Sequence, residues 1–422
     1  MSVALSTELR VKAWNQKGMD ELVLDSKFYQ LSNRANTTET PANPKDISKL
    51  PSNVMISVGD KLETGRTSIT LPWYSELSQG FRMGMQKEEG NEESISIKPF
   101  TAYYNVDRKS TNVGDISVDG DAEEFWGIAS KAKDRLFAYI GKLFDYHCHR
   151  ALCEGAGLNL TDSTAWTGAT FSSAPVSVAL HPKIFVTGGT DFVTWNNTYS
   201  TYETSLQSAA GALTPSSSMT IAKVFEIGRI ASRTVAPLGW SFAGQQVDWI
   251  LLVSHVQSYQ IANDATAISG LIDRTRMGDE RGFKNRALTG IVGVWGGVLV
   301  VEDPRAAIYN QSGTAGSRFG YYRPDVSVNA NPTRTAHGNG AATGTCEIAT
   351  LLGNKALVET EMVSPKIITK MSTDYEATKD MAIMAKWGVQ RPDFRASTDT
   401  SRPSNESSFL YFTATPSGQY LG

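Results

Sequence analysis

The sequence lacks the common patterns that mark enzymes, metal proteins and membrane proteins. Its 422 residues include only three cysteines and five histidines, which argues against a disulfide framework and indicates a reducing compartment. We find no G-x-S-x-G, Walker A or H-E-x-x-H motif. The most apolar run, residues 287–301, has 15 residues and four glycines, whereas a membrane helix needs about 20 apolar residues. We therefore expect neither catalysis nor a membrane role.

The sequence also lacks a large excess of positive or negative charge. The chain has 40 Lys and Arg against 43 Asp and Glu, a net charge of −3. A dedicated nucleic-acid binder or a polybasic membrane anchor would show a basic excess. Hydrophobic residues make up 41% and charged residues 20% of the chain, as in folded proteins. The first residues lack the basic and apolar pattern of a signal peptide, so we expect none.

Four potential metal ligands, His147, Cys148, His149 and Cys153, stand close together in a predicted helix. Neighbouring helical residues diverge by about 100°, and residues five apart by about 140°. These side chains cannot converge on one ion within a helix, so we interpret them as packed core residues. A glycine-rich segment at 338–344 has the wrong spacing for a dinucleotide loop. We expect no metal and no cofactor.

An acidic run suggests three possible roles. It contains Glu88, Glu89, Glu92 and Glu93. These side chains could hold a divalent cation, although no nearby His or Asp supports that. They could pair with arginines of another surface, or simply be solvated.

The chain begins with a polar arm and a long β excursion. Residues 1–62 include a stretch rich in Pro, Asn and Thr, which we expect to lie against a partner subunit. Residues 63–118 show two alternating strands, 67–71 and 94–98, joined by about 20 polar residues. Loops of this length are usually functional.

The strongest local signal predicts one long helix over residues 121–153. Apolar residues recur every three or four positions, and Gly155 follows. We expect its core side chains to be Phe125, Ile128, Leu136, Tyr139 and Leu143.

Further elements follow the long helix. The sequence predicts short strands and loops over residues 156–215. It predicts a second amphipathic helix over residues 219–233, preceded by a Ser N-cap. We also predict a buried strand over 247–253, a short helix over 255–263, a hairpin turning at Gly296-Gly297, and strands over 355–370 and 381–389.

Five segments in this order resemble one protein family. Residues 89–93, Glu-Gly-Asn-Glu-Glu, resemble a segment of the N-four-type branch of tailed-phage major capsid proteins. The strand and polar-aromatic stretch that follow, and the segments 151–157, 252–261 and 287–302, are similar to later motifs of that family. The resemblance covers residues 65–394. The segment at His255 lacks the family's usual Pro, and residues 305–350 match no motif.

The resemblance implies an α+β fold of the Hong Kong-97 type. Its division of the chain would be an N-arm (1–62), an E-loop (63–118), a P-domain with the spine helix (119–234), an A-domain (235–354), closing strands of the P-domain (355–394) and a C-terminal tail (395–422). The implied function is that of a tailed-phage major capsid protein, self-assembling into the icosahedral shell around the double-stranded DNA genome, and not an enzyme.

The resemblance also implies partners. Hexamers and pentamers would form the shell, with scaffolding, portal and decoration proteins as possible partners and only non-specific contact with packaged DNA. Assembly would take place in the host cytoplasm, and the protein would reside in the virion. The E-loop would reach over the next subunit, and we expect its contact residues to meet arginines there; they are Glu88, Glu89, Asn91, Glu92 and Glu93.

Three alternatives stay open at this point. An encapsulin-like cellular compartment would share the fold but enclose an enzyme rather than DNA. A phage tail or adhesion component would be β-rich and lack the long helix. An enzyme of unknown type would need a pocket of converging titratable groups, which the sequence does not indicate.

Overall fold

The computed structural model describes residues 26, 28, 54–58, 68–74, 97–115, 122–155, 181–193, 199–242, 245–264, 291–311, 319–322, 344–371, 378–393 and 405–416. The helices in these ranges are α1 (Ala122–Glu154), α2 (Tyr199–Gly211), α3 (Ile221–Thr234) and α4 (His255–Ala262). The strands are β1 (Met55–Val58), β2 (Ser68–Tyr74), β3 (Ile97–Tyr103), β4 (Asn105–Asp115), β5 (Ile184–Val186), β6 (Trp240–Phe242), β7 (Gln245–Val247), β8 (Trp249–Val253), β9 (Ile291–Trp295), β10 (Val298–Glu302), β11 (Ile308–Asn310), β12 (Phe319–Gly320), β13 (Thr345–Leu352), β14 (Leu357–Met371), β15 (Thr378–Gln390) and β16 (Ser408–Ala414).

Helix α1 confirms the long helix predicted over 121–153. It has 33 residues and is therefore about 50 Å long. Gly155 ends it with a positive φ of 89°, a conformation that favours glycine. The apolar spacing of its sequence understates the burial of its C-terminal part, where every residue from Leu143 to Glu154 is buried.

The expected core side chains of α1 are placed only in part. Leu136 and Leu143 are buried, and Tyr139 packs against the same core. The side chains of Phe125 and Ile128 lie outside the described part of the chain.

A four-stranded sheet packs against α1. Its strand order is β1-β14-β15-β4, with β1 parallel to β14 and the other pairs antiparallel. Trp387, Ile383 and Ile367 belong to the buried cluster that includes Phe144 and Ile140 of the helix. The strands predicted over 355–370 and 381–389 are therefore present as β14 and β15.

A larger sheet of eight strands has β13 at its centre. One edge of β13 pairs with β16 along its whole length, and the other pairs with β11 and β8. Strand β5 extends the sheet beyond β16, and the β10–β9 hairpin extends it beyond β8. That hairpin turns, as predicted, at Gly296 and Gly297, which have φ of 57° and 79°.

The sequence division is wrong for part of the C-terminal segment. Residues 395–422 were expected to form a tail, but β16 is buried at all seven positions and lies between β13 and β5. Strand β5 and helix α3, which the division places with the long helix, pack with the large sheet instead. The cause is pairing between distant segments, which local pattern does not encode.

Two local predictions also need correction. Residues 156–215 were expected to contain only strands and loops, but helix α2 lies there and buries Tyr202, Leu206 and Ala210. The N-cap of α3 is Thr220 rather than a serine, because the Thr220 hydroxyl accepts the backbone N–H of Lys223.

Strands β2 and β3 form a separate antiparallel hairpin, from Ser68 opposite Tyr103 to Tyr74 opposite Ile97. The loop that joins them, residues 75–96, lies outside the described residues. The assignment of these elements to an E-loop, a P-domain and an A-domain stays a prediction.

Candidate functional site

Five polar side chains lie in the buried half of α1 and require partners. They are Asp145, His147, His149, Arg150 and Glu154. A buried charge is costly unless it is paired and hydrogen-bonded. The partners of the first three come from the N-terminal segment, from β4 and from the connection between β10 and β11, whereas Arg150 and Glu154 pair with each other. This half of the helix is therefore the junction of the fold.

Asp145 anchors the N-terminal segment to the helix. Its Oδ1 accepts the Ser26 hydroxyl at 2.6 Å and the backbone N–H of Phe28 at 3.4 Å. Its Oδ2 lies 2.6 Å from Nη1 of Arg305, in the connection between β10 and β11. One carboxylate therefore joins three segments that are more than 100 residues apart in sequence.

A second carboxylate completes this network. Oδ2 of Asp303 lies 2.9 Å from Nε2 of His149, and its Oδ1 accepts the backbone N–H of Arg305. The ring of Phe28 packs edge-on against the His149 ring, 4.9 Å between centroids. Burial of Phe28 therefore supplies apolar contact beside the polar one.

The two aspartates differ in acidity. Burial raises the pKa of Asp145 to about 6, the Asp303 charge adds to this, and Arg305 and Ser26 oppose it. Burial would also raise the pKa of Asp303, but His149 and Arg305 hold it below its usual range. Two carboxylates that share one site are expected to diverge in this way.

His147 points to the four-stranded sheet. Its Nε2 lies 3.1 Å from Oδ2 of Asp107 on β4, and the indole N–H of Trp387 on β15 donates to the same oxygen. Helix α1 is thus held to two neighbouring strands through one buried carboxylate.

The C-terminal end of α1 is held by Arg391, which follows β15. Its guanidinium donates to the Leu152 carbonyl and pairs with Asp393, and a cation at this position complements the helix dipole. Asn405 donates to Asp393 and accepts the backbone N–H of Ser407 and Ser408. The end of the helix, β15 and the start of β16 are therefore joined by side-chain hydrogen bonds.

These contacts form a structural junction. His147 and His149 are buried, as predicted for packed core residues, and they bind carboxylates on different elements. Burial raises the pKa of the Cys148 and Cys153 thiols, which makes them poor nucleophiles. Within the described ranges, no group of three or more His, Cys, Asp or Glu could hold a metal ion.

The sequence-predicted contact residues are not placed. Glu88, Glu89, Asn91, Glu92 and Glu93 all lie outside the described residues. The junction itself was missed. The one available signal was the density of polar residues in the helix after Leu143, which suggests partners but does not identify them. Of the helices described, none is long and apolar enough to cross a membrane.

Solved phage capsid structures share this fold. The capsid of Ralstonia phage GP4 has a TM-score of 0.57 at 13% identity, covering 87% of this chain and 88% of that one. The acidic stable capsid of Helicobacter pylori bacteriophage KHP30 has a TM-score of 0.55 at 10% identity, covering 93% and 91%. The Cyanophage Pam1 capsid has a TM-score of 0.55 at 14% identity, covering 85% and 88%.

These likenesses confirm the predicted α+β fold of the Hong Kong-97 type, whereas membership of the N-four-type branch stays a prediction. No curated protein matches the sequence. The family model described as phage capsid protein matches residues 23–408. Because that match spans most of the sequence, the chain belongs to the phage capsid protein family.

Proposed function

We propose that this chain is the major capsid protein of a tailed bacteriophage and that its copies assemble into the icosahedral shell around the double-stranded DNA genome. The family match over residues 23–408 carries this proposal. The fold shared with three phage capsids supports it. Members of this family are structural proteins rather than enzymes, and capsid proteins act as multimers within the virion.

The buried junction suits this role. A shell subunit must transmit contact forces between neighbours without separating its own parts. Buried ion pairs resist separation, because removing one partner leaves an unpaired charge. Asp145 and Asp107 bind α1 to the N-terminal segment, to the β10–β11 connection and to the small sheet. The subunit would therefore move as one piece during assembly.

The finer assignments belong to the proposal. We assign α1 and the four-stranded sheet to the P-domain, the eight-stranded sheet with α2 to α4 to the A-domain, and β2 and β3 to the stem of the E-loop. Hexamers and pentamers would close the shell in the host cytoplasm, with scaffolding and portal proteins as partners. The near-neutral charge suits a wall that makes only non-specific contact with DNA.

The direct test is electron microscopy of the expressed chain beside size-exclusion chromatography. We expect closed shells tens of nanometres across, or rings of capsomers. Copurified DNA rather than an enzyme would separate a phage shell from a cellular compartment. A chain that stays monomeric even when it is coexpressed with its scaffold would contradict the proposal.

A further inference from the structure

A chain of hydrogen bonds begins and ends at the last turn of α1. On one side, Arg391 leads out of the four-stranded sheet, and its backbone N–H donates to the Gly155 carbonyl at 3.0 Å. Its guanidinium donates to the Leu152 carbonyl and to Asp393. Asn405 in turn donates to Oδ1 of Asp393 at 2.9 Å. The end of α1 is thereby joined to the segment that leads into β16 of the eight-stranded sheet.

His181, which precedes β5, returns this chain of bonds to α1. Its backbone N–H donates to the Cys153 carbonyl at 3.0 Å. Its ring Nε2 lies 3.0 Å from Oγ of Ser408, the first residue of β16, and that hydroxyl lies 3.5 Å from Oδ1 of Asn405. His181, Ser408 and Asn405 are fully buried. The side chains of this closed set, here called the clamp, are Arg391, Asp393, Asn405, Ser408 and His181.

The clamp fixes the protonation state of His181. The backbone N–H of Lys183 donates to Nδ1 of the His181 ring at 3.0 Å. Because a backbone N–H can only donate, this ring nitrogen carries no proton, and the neutral ring has its one proton on Nε2, facing Ser408. A second proton would have to occupy Nδ1, where the N–H of Lys183 already points. The closed clamp therefore excludes the charged form of the His181 ring.

Other titratable groups lie on the elements packed around His181. They are Cys153 and Glu154 on α1, Tyr202 on α2, Lys183 before β5, and the Arg391–Asp393 pair, while β16 contributes Ser408, which does not titrate. Burial raises the pKa of the Cys153 thiol and of the Glu154 carboxyl. Proton uptake by Glu154 therefore favours the folded, closed state as the pH falls. An acid-driven opening must come from another group, and His181 is the one whose charged form the clamp excludes.

We propose that His181 makes the clamp a proton-controlled lock, which holds β5 and the start of β16 to the end of α1 and releases them when His181 binds a proton. In the open state the ring meets water and takes up its second proton with the ordinary histidine pKa of about 6.5. The open state is therefore favoured as the pH falls below that value, and the closed state above it. The lock belongs to the single subunit and does not depend on assembly into a shell.

The first bonds to break are those of the His181 ring, to the N–H of Lys183 and to Ser408. Strand β5 has only three residues, and the pairing that the described residues give it is with β16. Because so short a strand has few bonds of its own, it depends on the anchor that His181 provides at its start. We therefore expect β5 to open before the longer strands of the same sheet.

Hydrogen–deuterium exchange of the full-length chain, read by mass spectrometry at pH 7.5 and pH 5.0, tests this lock. Each measured rate is divided by the intrinsic rate at that pH, so that protection factors are compared. Because the open state alone binds the proton, the population of the open clamp should rise by about 30-fold between the two pH values. We expect the protection of residues 183–187 to fall by this factor, while that of β9 and β10 stays unchanged.

The variant His181→Asn separates proton binding from structure. An Asn oxygen accepts the backbone N–H two residues ahead in an Asx turn, so it replaces Nδ1 toward Lys183 but cannot take a proton. Protection of residues 183–187 in this variant should be the same at both pH values. The matched control is His255→Asn, because His255 is an exposed histidine of α4 whose partner is Glu302. That control should keep the wild-type response.

Three results would overturn the proposal. The first is equal protection of residues 183–187 at both pH values in the wild-type chain, a comparison that needs no variant and holds even if His181→Asn does not fold. The second is a pH response that persists in His181→Asn. The third is a loss of protection spread evenly over all strands, which would mean global unfolding rather than release of the clamp.

Discussion

His147 and Asp107 join the long helix to the small sheet, with Nε2 of His147 3.1 Å from Oδ2 of Asp107 and both side chains buried. The same carboxylate oxygen accepts the indole N–H of Trp387. The contribution of Asp107 to stability depends on its negative charge, because the side chains of His147 and Trp387 both point at this one oxygen. A neutral amide of the same shape would satisfy them less well.

We therefore predict that Asp107→Asn lowers the free energy of unfolding by about 1–3 kcal/mol. Urea unfolding of the purified chain, followed by tryptophan fluorescence, measures this. The matched control is Asp191→Asn, because Asp191 is exposed and, among the described residues, accepts only the N–H of its neighbour Phe192. Equal stability of the two variants would show that the His147 contact contributes nothing.

Asp145 should give the chain a characteristic pH dependence. Its pKa is about 6 in the folded chain against an ordinary 3.8, so the folded state holds the proton more tightly than the unfolded state. The contribution of this group to stability is therefore greatest at acidic pH and falls as the pH rises from about 4 to about 6. Asp303, Arg305, His149 and Ser26 are the groups that face it.

The Asp145→Asn variant isolates this effect. For each protein the free energy of unfolding is measured at pH 4 and at pH 7. We expect the difference between wild type and variant to decrease by about 2 kcal/mol from pH 4 to pH 7. Unfolding curves of both proteins at matched ionic strength measure it. A difference that stays constant, or that grows with pH, would mean that the pKa of Asp145 is not raised in the folded chain.

Local patterns predicted the elements whose stability is local. Helix α1 follows from its apolar spacing, and the β9–β10 turn follows from Gly296 and Gly297, which supply positive φ. Helix α2 was missed because its sequence, YSTYETSLQSAAG, is rich in Ser and Thr, which have low helix propensity. It is held by burial of Tyr202 and Leu206.

The junction could not be predicted because its partners are distant in sequence. Asp145 and Arg305 are 160 positions apart, and Trp387 and Asp107 are 280 apart. Nothing local distinguishes Arg305 from other arginines. The family resemblance predicted the fold class and the function. The residues that bind the helix to its surroundings emerge only from the packing.

Gly353 should tolerate no side chain. A Cβ at this position would clash with the Ala236 carbonyl oxygen and with the Val235 side chain. The backbone N–H of Gly353 donates to the Ser407 carbonyl at 2.8 Å, which holds the glycine in this place. Backbone atoms cannot give way as a flexible side chain can, so we expect Gly353→Ala to cost about 1–3 kcal/mol.

Differential scanning calorimetry of Gly353→Ala beside Gly211→Ala tests this point. The nearest atom to a Cβ at Gly211 is 4.0 Å away, on the Gln311 side chain, so that variant should melt close to wild type. Similar melting temperatures for both variants would contradict the close approach of Gly353, in the connection between β13 and β14, to the segment that follows α3.

The C-terminal segment should be essential to folding rather than dispensable. Phe412 and its neighbours in β16 are fully buried, and the strand is hydrogen-bonded on both edges, to β13 and to β5. A chain ending at residue 404 would expose both neighbouring strands and remove the Asn405 contact with Asp393. Exposed strand edges promote aggregation, so we expect this chain to be insoluble.

A chain ending at residue 416 retains all of β16 and is the control, which we expect to be soluble and to assemble. A milder variant, Phe412→Ala, should stay folded but lose about 3–5 kcal/mol. Soluble yield and electron microscopy separate these three outcomes. If the chain ending at 404 were soluble and formed normal shells, β16 would not be an integral strand of the large sheet. The segment would then be the separable tail that its polar sequence first suggested.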